Sequence, residues 1–225
     1  STSAKEEYRS QNETYVLKKI IPAYKNLAAA IEELKDSGSN KGGLCNYEDG
    51  KDYYEYLVRY STGSSDSIKD LQKQVEQKRK EDLLQLSELL TKNPILAKES
   101  ESYQLDTSDP SQILAQLKET IKKDFPEAPD ANFTVKYVDE ALEDYLSPAF
   151  YLTSPIDDYK ENSIYINEGS HYEKMKLFTT LAHEGFPGHL YQNVFANTSG
   201  LPSVRQLLNY SGYTEGWATY VEMIS

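Results

Sequence analysis

The chain predicts an α+β fold that is mostly helical, a helical domain carrying one small β-sheet. Three observations lead there. Long stretches near both ends place apolar residues at helical spacing, three short segments between them are rich in β-branched and aromatic residues, and helical texture returns afterwards.

The first segment, roughly 4 to 35, carries Tyr15, Ile20, Tyr24, Leu27, Ile31 and Leu34 at helical spacing, with Pro22 as a kink or helix start, and DSGSNKGG ends it. After the Tyr-rich piece DYYEYLVRYS, the Ser-Ser-Asp cluster near 64 to 66 is placed to cap a second helix. That helix sets Ile68, Leu71, Val75, Leu83, Leu86 and Leu90 on or near one face and leaves QKRKED as a solvated face. AKESESYQLDTSDP is polar and aperiodic, which reads as a connection between subregions. Asp109, Pro110 and Gln112 then occupy the places of an N-cap, a first-turn proline and a capping-box partner for a helix from about 110 to 124. ANFTVKYVDEAL, PAFYLTSP and NSIYINEG follow as short strands, and YEKMKLFTTLAHEGF and VRQLLNYSGYTEGWATYVEMIS return to helix. Composition divides the chain into an N-terminal helical region, 1–100, and a region of sheet plus metal-binding helices, 101–225.

With 225 residues and 38% hydrophobic content the chain can bury a core. Its net charge of -12 and the lack of a clustered Lys/Arg face argue against nucleic acid and anionic membrane surfaces as partners. No apolar run approaches the roughly 20 residues of a transmembrane helix. The start, STSAKEEYRS, has neither signal-peptide texture nor an initiator Met. The expectation is a soluble piece of a longer protein, secreted or lipoprotein-derived, with its localisation open. A single cysteine, Cys45, excludes an internal disulfide framework and a thiolate zinc cluster.

The chemistry concentrates in LAHEGFPGHLYQ, where two of the three histidines stand beside a glutamate. His183 and His189 are six apart, about 240° past one turn and about 9 Å along an ideal helix, so an unbroken helix cannot bring them to one ion. Pro187 and Gly188 between them are residues that end a helix and let the chain turn. A hydrolytic zinc needs about three protein ligands and an open position. The third is His171 or a carboxylate; YTEGWATYVE offers Glu215 and Glu222, seven apart and on one helical face, and Glu215 is the chosen ligand. Glu222 then either orients an imidazole or is a surface carboxylate.

HEGFPGHLYQ followed by YTEGWATYVE resembles the bacterial family "domain of unknown function 885", grouped with zinc peptidases of the thermolysin-like, gluzincin type. DGKDYYEYLVRYSTGSS and SPAFYLTSPIDDYKENSIYIN extend the resemblance over most of 45–225. It implies a zincin-like pair of active-site helices in which His183, His189 and Glu215 hold one zinc ion and Glu184 is the catalytic glutamate. It also implies a catalytic domain that continues beyond Ser225. The expected activity is peptide-bond hydrolysis, zinc polarising the scissile carbonyl and acidifying a water while Glu184 passes the water proton to the leaving amine. Tyr213 is the candidate oxyanion donor, with His171 in the loop GSHY behind it. Arg205 is the candidate cation for a substrate carboxylate, and NSIYIN a candidate edge strand for an extended peptide. The alternative is a non-catalytic fragment that binds peptides or a partner.

Overall fold

A computed structural model describes residues 2–102, 105–128, 130–170, 174–208 and 210–225. Contacts divide the chain into two compact units, 1–54 and 55–225, a division distinct from the composition break at 100.

In the first unit, α1 (Thr2–Tyr15) runs through a π-helical stretch, Val16–Ile20, into α2 (Ile21–Leu34). Pro22 lies in the first turn of α2. It has no N–H to give the preceding turn, and there the backbone takes the wider register in which Ile21 N–H bonds to Val16 O. Tyr15, Ile20, Tyr24, Leu27, Ile31 and Leu34 are exposed, so the apolar stripe expected to pack is not covered by any described residue.

The Tyr-rich piece is helical: α3 (Gly50–Thr62) leads to α4 (Ile68–Lys92). The cap of α4 is Ser67, just after the expected cluster; its Oγ accepts from Asp70 N at 3.1 Å. The charged face of α4 is solvated, with pairs such as Arg79–Glu76 one turn apart. Val75, Leu83 and Leu86 on the other side are exposed as well. The segment read as a connection folds in part, as α5 (Leu96–Ser102). α6 (Pro110–Thr120) starts as its sequence indicated, Asp109 accepting from Gln112 N at 2.8 Å, and closes in a 3-10 turn, Ile121–Lys123.

The three strand segments form one sheet: β1 (Asn132–Tyr137), β2 (Ala149–Leu152) and β3 (Glu161–Ile166), in the order β1-β3-β2. β3 pairs parallel with β1, Asn132 opposite Glu161, and antiparallel with β2, Ala149 opposite Ile166. The expectation that NSIYIN lies at an edge is therefore corrected. β3 has a strand on each side, and its Asn162, Ile164 and Ile166 alternate into the interior. The interior of this unit joins Ile113, Leu114 and Leu117 of α6, Ile164 and Ile166 of β3, and the helix that follows the sheet.

That helix, α7 (Lys174–Glu184), is succeeded by α8 (His189–Thr198), α9 (Val204–Leu207) and α10 (Ser211–Ile224). Leu177, Leu181 and Ala182 seat α7 in the core, and Leu190, Tyr191 and Val194 seat α8. Among the described residues no helix is long and apolar enough to cross a membrane.

Candidate metal centre

α7 ends at Glu184, four residues turn, and α8 begins at His189. The turn tolerates no side chain at its glycines. A β-carbon at 188 would run into the carbonyl oxygens of His183 and Ala182, and one at 185 into Leu114. Gly185 N closes the helix onto Leu181 O (2.8 Å), and Tyr191 N and Gln192 N bond to Gly185 O and Gly188 O at 3.1 and 2.9 Å. Phe186, 1% exposed, anchors the turn in the core. The two imidazoles are brought face to edge, 4.8 Å between ring centroids and 86° between planes.

α10 supplies the second half of the site. Ala218 and Val221 are fully buried. A small residue at 218 lets the backbones approach, and Glu215 and Glu222, three before and four after it, then share its face. Trp217 fastens α10 to the turn, its Nε1–H donating to Pro187 O at 2.7 Å while its ring meets Phe125 edge-on.

Glu215 Oε2 stands 3.8 Å from His183 Nε2 and 3.6 Å from His189 Nε2. Tetrahedral zinc with bonds of about 2.0–2.2 Å places neighbouring ligand atoms about 3.3–3.6 Å apart, so the Glu215 oxygen stands near the spacing at which it could share an ion with either imidazole nitrogen. His183 Nδ1 lies 3.0 Å from Glu222 Oε2. A carboxylate only accepts, so Nδ1 carries the hydrogen and the Nε2 lone pair is turned toward Glu215. Glu184 holds a different position. Its Oε2 accepts from the backbone N–H of Tyr151 at 2.8 Å, and its Oε1 is 4.0 Å from His183 Nε2. The Tyr151 ring is fixed too, its hydroxyl donating to Asn162 Oδ1 (2.7 Å) and accepting from Asn193 Nδ2 (2.9 Å).

His183, Glu184 and His189 offer ligand atoms within 4.8 Å of one another. Of the two carboxylates near the Nε2 atoms, Glu215 fits the ligand position better, because its oxygen is set against both of those nitrogens while Glu184 is tethered to β2.

The site carries unbalanced negative charge. Three carboxylates surround two imidazoles, and among the described residues no lysine or arginine pairs with Glu184, Glu215 or Glu222. Burial raises the Glu184 carboxyl above the usual carboxylate range; the Tyr151 N–H and the nearby His183 oppose that, and Glu215 and Glu222 add to it. Burial also depresses the His189 imidazole, with Glu215 partly offsetting the shift. A bound dication balances such a set, since it holds a carboxylate charged and a histidine neutral at once.

The centre opens onto a cleft of about 500 Å³. Arg205 and Tyr213 both line it, as do Gln192 and Asn193. Tyr213 is 65% exposed, and its hydroxyl has no hydrogen-bond partner among the described residues. The structure thus gathers His183, Glu184, His189, Glu215 and Glu222 at one point and puts Arg205 and Tyr213 on the cleft wall. His171 lies outside the described residues. Sequence reasoning missed Gln192 and Asn193, which the three- and four-residue spacing from His189 would have flagged, and the Tyr151 backbone donor, which has no side-chain signature.

The sequence profile of a family described as "Bacterial protein of unknown function (DUF885)" matches residues 1–225. No curated protein matches. Among solved structures, a Colwellia psychrerythraea protein labelled a lipoprotein is similar, with 22% identity and a TM-score of 0.75. The similarity covers 100% of this chain and 42% of that one.

Proposed function

The chain belongs to the bacterial family of unknown function DUF885, and from that premise we propose that it carries a gluzincin-type centre for zinc-dependent hydrolysis of peptide bonds. The observation that carries the reading is the approach of Glu215 Oε2 to within 3.6–3.8 Å of both His183 Nε2 and His189 Nε2, with a second, tethered carboxylate beside them. Zinc held by those three residues supplies Lewis acidity, polarising a carbonyl and acidifying a water.

The remaining work falls to the chain itself. Glu184 has one oxygen fixed by the Tyr151 N–H and one free. The free oxygen receives the proton of the attacking water and returns it to the departing amine. A carboxyl raised by burial suits that exchange, because it holds a proton more readily than a solvated carboxylate. Tyr213, which lines the cleft, is the proposed donor to the developing oxyanion. The Tyr151 N–H is turned away from β3 to reach Glu184, so β2, and not NSIYIN, is the strand whose open edge passes the site. An extended peptide adding to that edge brings its backbone to Glu184.

The test is elemental analysis of the purified protein together with hydrolysis of a mixed peptide library. One zinc per chain, lost in His183→Ala and in Glu215→Ala, with cleavage that a chelator stops, is the expected result. Metal retained without cleavage would reduce the protein to a peptide-binding module, and a protein that takes up no zinc would overturn the reading.

A further inference from the structure

The cleft is charged at both ends of its chemistry. Glu184 and Glu215 line it beside the imidazoles, and among its described lining residues Arg205 is the one cation. Arg205 ion-pairs with no described carboxylate; its guanidinium lies over the Tyr210 ring, 5.2 Å from the centroid. A cation–π contact uses none of the guanidinium N–H groups in a hydrogen bond to the ring's oxygen, and leaves its donors for a planar anion. The helix that carries it is tied to the cleft wall: Gln206 Nε2 bonds to Asn197 Oδ1 of α8 at 2.7 Å, and Arg205 N bonds to Pro202 O at 2.8 Å. A second group in the same cleft points to a ligand. Gln192, one turn past His189, is 8% exposed, and its Nε2 is buried with no hydrogen-bond partner. A buried donor without an acceptor is costly, and because Gln192 lines the cleft, a turn of its amide toward an acceptor on a molecule there relieves it. The volume, about 500 Å³, is in the range that encloses a small peptide-sized ligand.

We infer that Arg205 binds the free C-terminal carboxylate of a short peptide, with Gln192 donating to a carbonyl of that peptide, so the substrates are cut near their C-terminus. This rests on the hydrolase reading for the cut and on the cleft alone for the carboxylate. In a chain of net charge -12, with two glutamates in the same cleft, an anionic end needs a dedicated cation to enter. Arg205 meets that need, since its two-pronged edge matches a carboxylate.

The experiment uses the full chain, loaded with zinc, and three peptides of one sequence: a free acid, its C-terminal amide, and an amide ending in Asp. Hydrolysis is followed with the wild type, and binding by calorimetry with Glu184→Gln. The free acid is expected to exceed the amide by about tenfold to a hundredfold in kcat/KM and in affinity. That preference is expected to collapse toward unity in Arg205→Gln and to survive in part in Arg205→Lys. Tight binding of the free acid that depends on Arg205, without cleavage of any peptide, removes the hydrolase reading and leaves the carboxylate site standing. Equal treatment of acid and amide, or binding of neither, overturns the inference. An Asp-ending amide that performs as well as the free acid overturns it as well, assigning Arg205 to acidic side chains.

Discussion

Under the proposed zinc centre, removing the Glu222 carboxylate is expected to weaken zinc binding although the residue is not one of the proposed ligands. Its Oε2 lies 3.0 Å from His183 Nδ1 and holds the hydrogen there. In Glu222→Ala the neutral imidazole divides between its two tautomers, only one of which presents a lone pair at Nε2, and the ring loses the contact that sets its plane. Losing such an orienting partner costs about tenfold to a hundredfold in metal affinity, about 1.4–2.7 kcal/mol. The Glu222 side chain is 39% exposed, so water screens the pair and the expected loss lies near the lower end, about tenfold. Glu222→Gln keeps an acceptor oxygen without the charge and is expected to fall between wild type and Glu222→Ala. The assay is competition for zinc against a chromophoric chelator at neutral pH. An unchanged affinity in Glu222→Ala would refute the reasoning, because the Nε2 lone pair would then be oriented without the carboxylate.

Under the proposed function Glu184→Gln is expected to keep zinc and to lose about 10²–10⁴ in hydrolysis, read by metal analysis and kcat/KM together. Metal-free, the same variant melts above the wild type at neutral pH: burial raises the wild-type carboxyl, so its contribution is present below the unfolded value and lost as pH rises through the folded one. His189 has the opposite sign. Its folded value is depressed, so the metal-free protein keeps that contribution above about pH 6.5 and loses it as pH falls toward the folded value, and melting of His189→Asn against pH should not show this loss. Trp217→Phe removes the donor to Pro187 O and should lower stability by about 0.5–1.5 kcal/mol in denaturant titration; no change would mean that the turn holds without it.

What the sequence revealed of the site was what short spacing controls. Two histidines six apart with Pro-Gly between them require a broken helix, and α7 and α8 meet at that break. Glu215 and Glu222, seven apart, require a common face, and both reach His183. The Asp109 cap was legible for the same reason, while at α4 several neighbouring serines and aspartates could each have capped and Ser67 does. Strand order was not legible. NSIYIN alternates as an edge or a central strand would, and its central place depends on pairing with residues of β1 and β2 that lie eleven or more positions away in sequence. The stripe from Tyr15 to Leu34 was legible as amphipathic, but periodicity says nothing of what covers a face.

One imidazole joins the two motifs. Glu215 and Glu222 are separated by seven residues, about 10.5 Å along α10. They reach opposite nitrogens of the same ring, Nε2 and Nδ1 of His183. The buried Ala218 between them lets α10 lie close enough for both to do so, and the Trp217 bond to Pro187 fixes α10 against the turn that presents His189. His183 is therefore held at both ends by one helix, and His189 is placed by a turn braced on that same helix. With His183, His189 and Glu215 as the proposed ligands, Glu184 is not required to hold a metal. Its tether to the backbone of β2 keeps its other oxygen beside the two imidazoles, where the proposed reaction needs a proton acceptor.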